Sequence, residues 1–151
     1  MMWKPPDPDV FNRIVWKIAR QIPEGRVFTY GQIAAMIPPP DGVEPPDYER
    51  LGARWVGQAM NATPPDEGIP WQRVINSKGS ISLPAGSAAA EQQRQLLLAE
   101  GVEFNDKGRI DFNVYGWDGP DAAWLRDNRL DAPPSMRTRA SDDDTTQPRL
   151  L

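Results

Sequence analysis

The sequence predicts a mainly α-helical domain carrying small β hairpins. Three observations lead there. Phe11, Ile14, Val15, Ile18 and Ile22 recur at the i, i+3/i+4 spacing of a helix with one buried face. Two more helical stretches, one short and one long, follow on either side of a proline-rich connection. Two four-residue turns, Asn76-Ser77-Lys78-Gly79 and Asn105-Asp106-Lys107-Gly108, each stand between short apolar runs, as hairpin turns do.

Taken in order, residues 1–8 are rich in proline and predict a flexible N-terminus. Asp9 is placed to cap the first helix, which Pro23, Glu24 and Gly25 stop. Val27 and Phe28 read as a short extended piece. Thr29 followed three residues later by Gln32 is a capping-box pattern, opening a helix through Ile33, Ala34 and Ile37. Residues 38–47, PPPDGVEPPD, form a proline-rich loop, after which Asp47 caps a third helix.

That third helix turns Tyr48, Leu51, Trp55, Val56, Ala59 and Met60 to one side. Arg50, Arg54, Gln58 and Asn61 fall at i, i+4, i+8 and i+11, one polar ridge on the other. Gly52, Ala53 and Gly57 are small enough to let this helix approach another surface closely. Beyond it, residues 73–82 and 102–112 read as the two hairpins, and residues 87–100 as a helix that Gly101 ends. The organisation expected is a folded unit over 9–115, an extension over 116–131 and a disordered tail over 132–151.

Composition removes several functions. There is no cysteine and no histidine, so disulfides, thiolate nucleophiles, most zinc sites and the usual neutral-pH base are absent. No acidic motif suggests a bound cation, and no cofactor is expected. The N-terminus lacks a signal-peptide pattern and no apolar run could span a bilayer, which predicts a cytoplasmic protein with no membrane partner. The net charge of −4 is unevenly distributed. Residues 11–36 hold four cations against Glu24, whereas residues 116–151 hold five arginines against seven aspartates. The front half can therefore present a basic face to nucleic acid.

A short helix, a connection and a longer helix with an Arg/Gln/Asn ridge is the pattern of a helix-turn-helix, winged-helix-like DNA reader. An ordinary solvated helix face would look the same. The order VFTYGQIAAMI, ARWVGQAM, PWQRVINSKGSIS, LLLAEGVEF goes further. It resembles the DNA-binding domain of the O6-alkylguanine-DNA alkyltransferases over about residues 9–115. Those enzymes carry Pro-Cys-His-Arg-Val where this chain has Pro70-Trp71-Gln72-Arg73-Val74. Tryptophan in place of the cysteine resembles the alkyltransferase-like proteins, which bind alkylated guanine without dealkylating it.

The resemblance implies roles that can be checked against side-chain chemistry. The enzymes use a thiolate, a histidine and an orienting glutamate. Trp71 offers only a donor N–H, and Gln72 is no base. Glu100 matches the glutamate and is left with nothing to orient. Most alkyltransferase-like proteins keep the histidine, so Gln72 is a departure. Arg54 matches the arginine that fills the gap left by a flipped nucleotide; read alone, it is a surface arginine in a salt bridge. Tyr30 matches the tyrosine that rotates the nucleotide; read alone, it is a core residue beside a helix cap. Trp71 either lines the lesion pocket or fills the cysteine's space and closes it. Met60 is either a pocket wall or ordinary core. The carbonyls of Trp71 and Val74 would read the exocyclic amine of guanine. Two other departures are Thr63 where the enzymes have asparagine, and Leu83-Pro84 where relatives place a basic residue.

By resemblance, then, the chain is a non-enzymatic monomer that flips O6-alkylguanine out of double-stranded DNA. The DNA contacts would be Tyr30, Arg50, Arg54, Gln58 and Asn61, and the lesion pocket Tyr30, Met60, Trp71, Gln72 and Val74. Nucleotide excision repair proteins would be the follow-on partners. The alternative is a winged-helix transcription regulator reading undamaged DNA through the same ridge.

Overall fold

The computed structural model describes residues 3–138. Six helices and a two-stranded sheet make up its regular structure. Helix α1 (Pro8–Ala19) begins two residues earlier than expected. Asp7 rather than Asp9 is its N-cap, accepting from the Val10 N–H at 3.2 Å, and Pro8 fills the first position, where a missing N–H is harmless. The segment before it is not loose along its whole length. Pro5 is buried and the Trp3 carbonyl accepts from the Gln58 side chain.

Strand β1 (Phe28–Thr29) leads into α2 (Tyr30–Met36) through the capping box. The Gln32 N–H donates to Thr29 Oγ1, and the Thr29 N–H donates to Gln32 Oε1, both at 3.0 Å. The connection to α3 is shorter than 38–47, because α3 (Pro45–Asn61) starts at Pro45. Asp47 is not its cap. Glu44 holds that position without a side-chain bond, and Pro45 and Pro46 fill the first two positions, where a missing N–H is harmless. Val43, buried at 6% exposure, pins the connection to the core.

The sheet differs from the hairpins expected. Strand β2 (Val74–Ile75) pairs in parallel with β1, Phe28 beside Val74 and Thr29 beside Ile75. The two Asn-to-Gly turns do form, closed by Asn76 N–H to Ser80 O at 3.2 Å and Asn105 N–H to Arg109 O at 2.8 Å. Neither continues into a ladder: the Val74–Ile75 backbone pairs with a strand from the front of the chain, and the Ile110 N–H donates across to Gly79 O at 2.7 Å. Helix α4 (Ala88–Ala99) follows, capped by Ser87, and Gly101 at φ +91° ends it. The short helices α5 (Phe112–Tyr115) and α6 (Ala122–Asp127) complete the order.

One large core joins α1, α2 and α3, with Phe11, Val15, Ile18, Ile33, Met36 and Trp55 all at or below 3% exposure. Phe11 meets Tyr48 and Trp55 edge-on, with ring centroids 6.5 and 5.9 Å apart. Leu125 of α6 enters the same core, so the 116–131 extension packs against the front helices. A smaller core, Val27, Ile75, Leu97, Val102 and Ile110, lies under α4 and the second turn. Residues 132–138 do not begin a disordered tail. Gln32 Nε2 donates to Pro134 O at 2.8 Å, Arg137 Nη1 to Gly116 O at 3.0 Å, and Thr138 N–H to Asn113 Oδ1 at 2.7 Å. The rest of that expected tail lies outside the described residues. No helix among the described residues is long and apolar enough to cross a membrane.

Candidate functional site

Helix α3 sets the first part of the site. Its inner face buries Tyr48, Leu51, Gly52, Trp55, Val56, Ala59 and Met60, which forces Arg50, Arg54, Gln58 and Asn61 outward. The crossing with α2 is close because position 52 has no side chain. A Cβ there would lie 3.1 Å from Ala34 Cβ and 3.3 Å from the Tyr48 ring. Tyr48 donates its hydroxyl to Ala34 O at 2.8 Å, and burial pushes its pKa well up. Gly57, on the other side, has nothing within 4 Å.

The four ridge residues are not equivalent. Arg50 pairs with Asp47 at 3.1 Å, an exposed i, i+3 contact of small energetic weight. Gln58 Nε2 donates to Trp3 O at 2.7 Å, so this side chain holds the N-terminal segment. Arg54 and Asn61 are exposed and have no hydrogen bond or ion pair among the described residues. Arg54 is therefore not the salt-bridged surface arginine of the simpler reading. Its five guanidinium donors are available to a partner.

Tyr30, Met60, Trp71 and Val74 all belong to or border the large core. Met60 at 8% and Val74 at 1% belong to it, and the half-buried Tyr30 and Trp71 pack against its edge. Tyr30 Oη lies 2.9 Å from Ser82 Oγ. Trp71 opens a 3-10 turn, Trp71–Arg73, in which its carbonyl accepts from the Val74 N–H. The carbonyls of Gln72 and Val74 both accept from the buried Gln93 Nε2 at 3.1 Å, tying this segment to α4. Each carbonyl expected to read guanine thus already carries one bond and keeps one lone pair.

Gln72 joins the site through Glu100, which does have something to orient. Glu100 Oε2 accepts from Gln72 Nε2 at 2.8 Å, and Glu100 Oε1 from the Gly25 N–H at 2.9 Å. Arg73 grips the same carboxylate through Nε at 3.0 and 3.1 Å and Nη2 at 3.0 Å, while its Nη1 donates to Ile22 O at 2.8 Å. Glu100 is the C-cap of α4, where the helix dipole disfavours an anion, so it needs these donors. Burial acts to raise its pKa. The bonds from Arg73, Gly25 and Gln72, with the Arg73 charge, outweigh burial and hold it below the usual carboxylate value.

A carboxylate only accepts, so the Gln72 amide must turn its nitrogen to Glu100. Its Oε1 then faces away from Glu100 and has no partner among the described residues. A neutral imidazole in this position would have the same polarity, a donor towards the glutamate and an acceptor on the other side. Gln72 reproduces it without a titratable proton.

Three participants escaped the sequence reading: Arg73 as clamp, Gln93 as tether and Ser82 as the Tyr30 partner. Gln93 had a signal, since it lies four residues before Leu97 on the buried stripe of α4. For Ser82 we find none.

Comparison with known proteins points to one family. Residues 10–102 match the family model of the 6-O-methylguanine DNA methyltransferase DNA-binding domain. A "DNA base-flipping protein" of Escherichia coli is 39% identical over 109 residues, covering 72% of this chain and 75% of the relative. "Alkyltransferase-like protein 1" of Schizosaccharomyces pombe is 43% identical over 95 residues, 63% of this chain and 79% of the relative. Among solved structures, S. pombe Atl1 in complex with damaged DNA containing O6-carboxymethylguanine superposes with a TM-score of 0.55 at 36% identity. It covers 72% of this chain and 95% of that one.

Proposed function

The chain belongs to the alkyltransferase-like proteins, within the family of the 6-O-methylguanine DNA methyltransferase DNA-binding domain, and on that premise we propose that it binds O6-alkylguanine in duplex DNA, flips the nucleotide and leaves the alkyl group in place. The observation that carries the reading is Arg54. It is an exposed arginine on the outward ridge of α3 with no protein partner among the described residues.

Extruding a nucleotide costs a few kcal/mol of stacking and pairing, less for an alkylated guanine that pairs poorly. Arg54 enters the gap and bonds the orphaned base with its planar guanidinium. Arg50 and Asn61 contact the flanking backbone, and Tyr30 guides the turning nucleotide. In the pocket the Trp71 ring supports the alkylated base, a contact of the kind that contributes about 1–3 kcal/mol. Met60 and Val74 form the apolar wall. Gln72 Oε1 is the fixed acceptor.

Transfer of the alkyl group has no chemical route through these residues. An indole N–H is not a nucleophile, and an amide does not take up a proton at neutral pH. The complex persists as the signal, and nucleotide excision repair is the class of process that acts on it.

Fluorescence of 2-aminopurine placed next to O6-methylguanine reports flipping through its lost stacking, and mass spectrometry of the protein reports transfer. A fluorescence rise on binding with unchanged protein mass is expected. Trp71→Cys should also keep its mass, because Gln72 cannot serve as base. A protein heavier by one alkyl group would overturn that assignment.

A further inference from the structure

The ridge of α3 has a neighbour that no motif singled out. Residues 3–7 are held at three points: the bond from Gln58 Nε2 to Trp3 O, the buried Pro5 ring, and the Asp7 cap on α1. Two consecutive prolines, Pro5 and Pro6, narrow the backbone further. Yet on this anchored segment Trp3 is 61% exposed, more than any other large apolar side chain among the described residues. Lys4 beside it is exposed and has no ion pair among the described residues. With Pro8, Asn12 and Gln58 they line a surface cleft of about 370 Å³.

An anchored arm that leaves its indole and its cation in water is built for a contact outside the chain. Its place says with what. Gln58 belongs both to the arm's anchorage and to the ridge, one helical turn from Arg54. The surface is thus continuous with the ridge, and its cation has the sign a phosphate backbone requires.

We propose that Trp3 and Lys4 form an N-terminal arm of the DNA interface, contacting the duplex beside the lesion. Lys4 neutralises a phosphate, and the Trp3 ring packs on sugar or an exposed base face. The prolines and the Gln58 bond preorganise the arm, so little ordering entropy is lost on binding. This inference rests on the proposed DNA-binding function.

The test measures fluorescence anisotropy of the full chain, and of Trp3→Ala and Lys4→Ala, with duplexes carrying central guanine or O6-methylguanine. Titrations run at about 50 and about 200 mM salt, the range over which counterion release is legible. Lys4→Ala should weaken binding about threefold and lower the log–log salt slope by about 1. Trp3→Ala should weaken it about fivefold. Both losses should be equal on the two duplexes, since the arm touches flanking DNA, and thermal stability should not move. Wild-type affinity and slope in both variants would overturn the arm while leaving lesion recognition standing. A wild-type chain that binds both duplexes equally would instead remove lesion recognition, and the arm would still be readable on undamaged DNA. A chain that binds neither duplex removes both.

Discussion

The ridge of α3 and the knot around Glu100 treat their arginines in opposite ways. Arg73 donates three bonds to one carboxylate and a fourth to Ile22 O, with its side chain 16% exposed. Arg54 stands in water with no partner among the described residues. A saturated, buried charge holds structure, because removing any partner strands the others. An unsatisfied, exposed charge contributes little to folding and is available to a ligand. On the proposed function, the two regions separate stability from recognition within one small domain.

The sharpest way to break that division is at the knot. Glu100→Ala leaves a mostly buried Arg73 and the Gly25 N–H without their acceptor, and should lower stability by about 3 kcal/mol or more in chemical denaturation. The same carboxylate gives a pH signature. Its folded pKa lies below its unfolded one, so its contribution is complete above the unfolded value and is lost as pH falls through the folded value. Tm of the wild type should therefore fall on acidification more steeply than Tm of Glu100→Gln.

Next in size, Arg54→Ala should weaken binding to lesion-bearing duplex by about 2 kcal/mol, near thirtyfold, while stability changes by no more than about 0.5 kcal/mol. A large loss of stability with unchanged binding would erase the distinction between the regions. Gln72→Ala removes one of several bonds to Glu100 and should reduce stability by about 1 kcal/mol in the same denaturation assay. Smallest is Gly57→Ala. With nothing within 4 Å it should stabilise the helix by up to about 1 kcal/mol, yet weaken DNA affinity by adding bulk to the approaching face.

The ridge was legible in the sequence because helical periodicity alone assigns faces: Arg50, Arg54, Gln58 and Asn61 all emerged on the exposed side. The capping box at Thr29 and Gln32 was legible for the same local reason. The knot was not. Gly25, Gln72, Arg73 and Glu100 come from three distant segments, and no local pattern links them. The parallel pairing of 28–29 with 74–75 failed to show for the same reason, and the turns beside it invited hairpins instead. Asp9 and Asp47 misled as caps because proline suits the first helical turn, so α1 and α3 start at Pro8 and Pro45, two or three residues earlier than those aspartates mark.

Lesion recognition without repair is tested most directly by equilibrium binding to matched duplexes carrying guanine or O6-methylguanine, at one fixed salt concentration. Tighter binding to the O6-methylguanine duplex, with the alkyl group still on the DNA afterwards, is the expected result. Equal affinity for the two duplexes would contradict it and leave the α3 ridge to a reader of undamaged DNA.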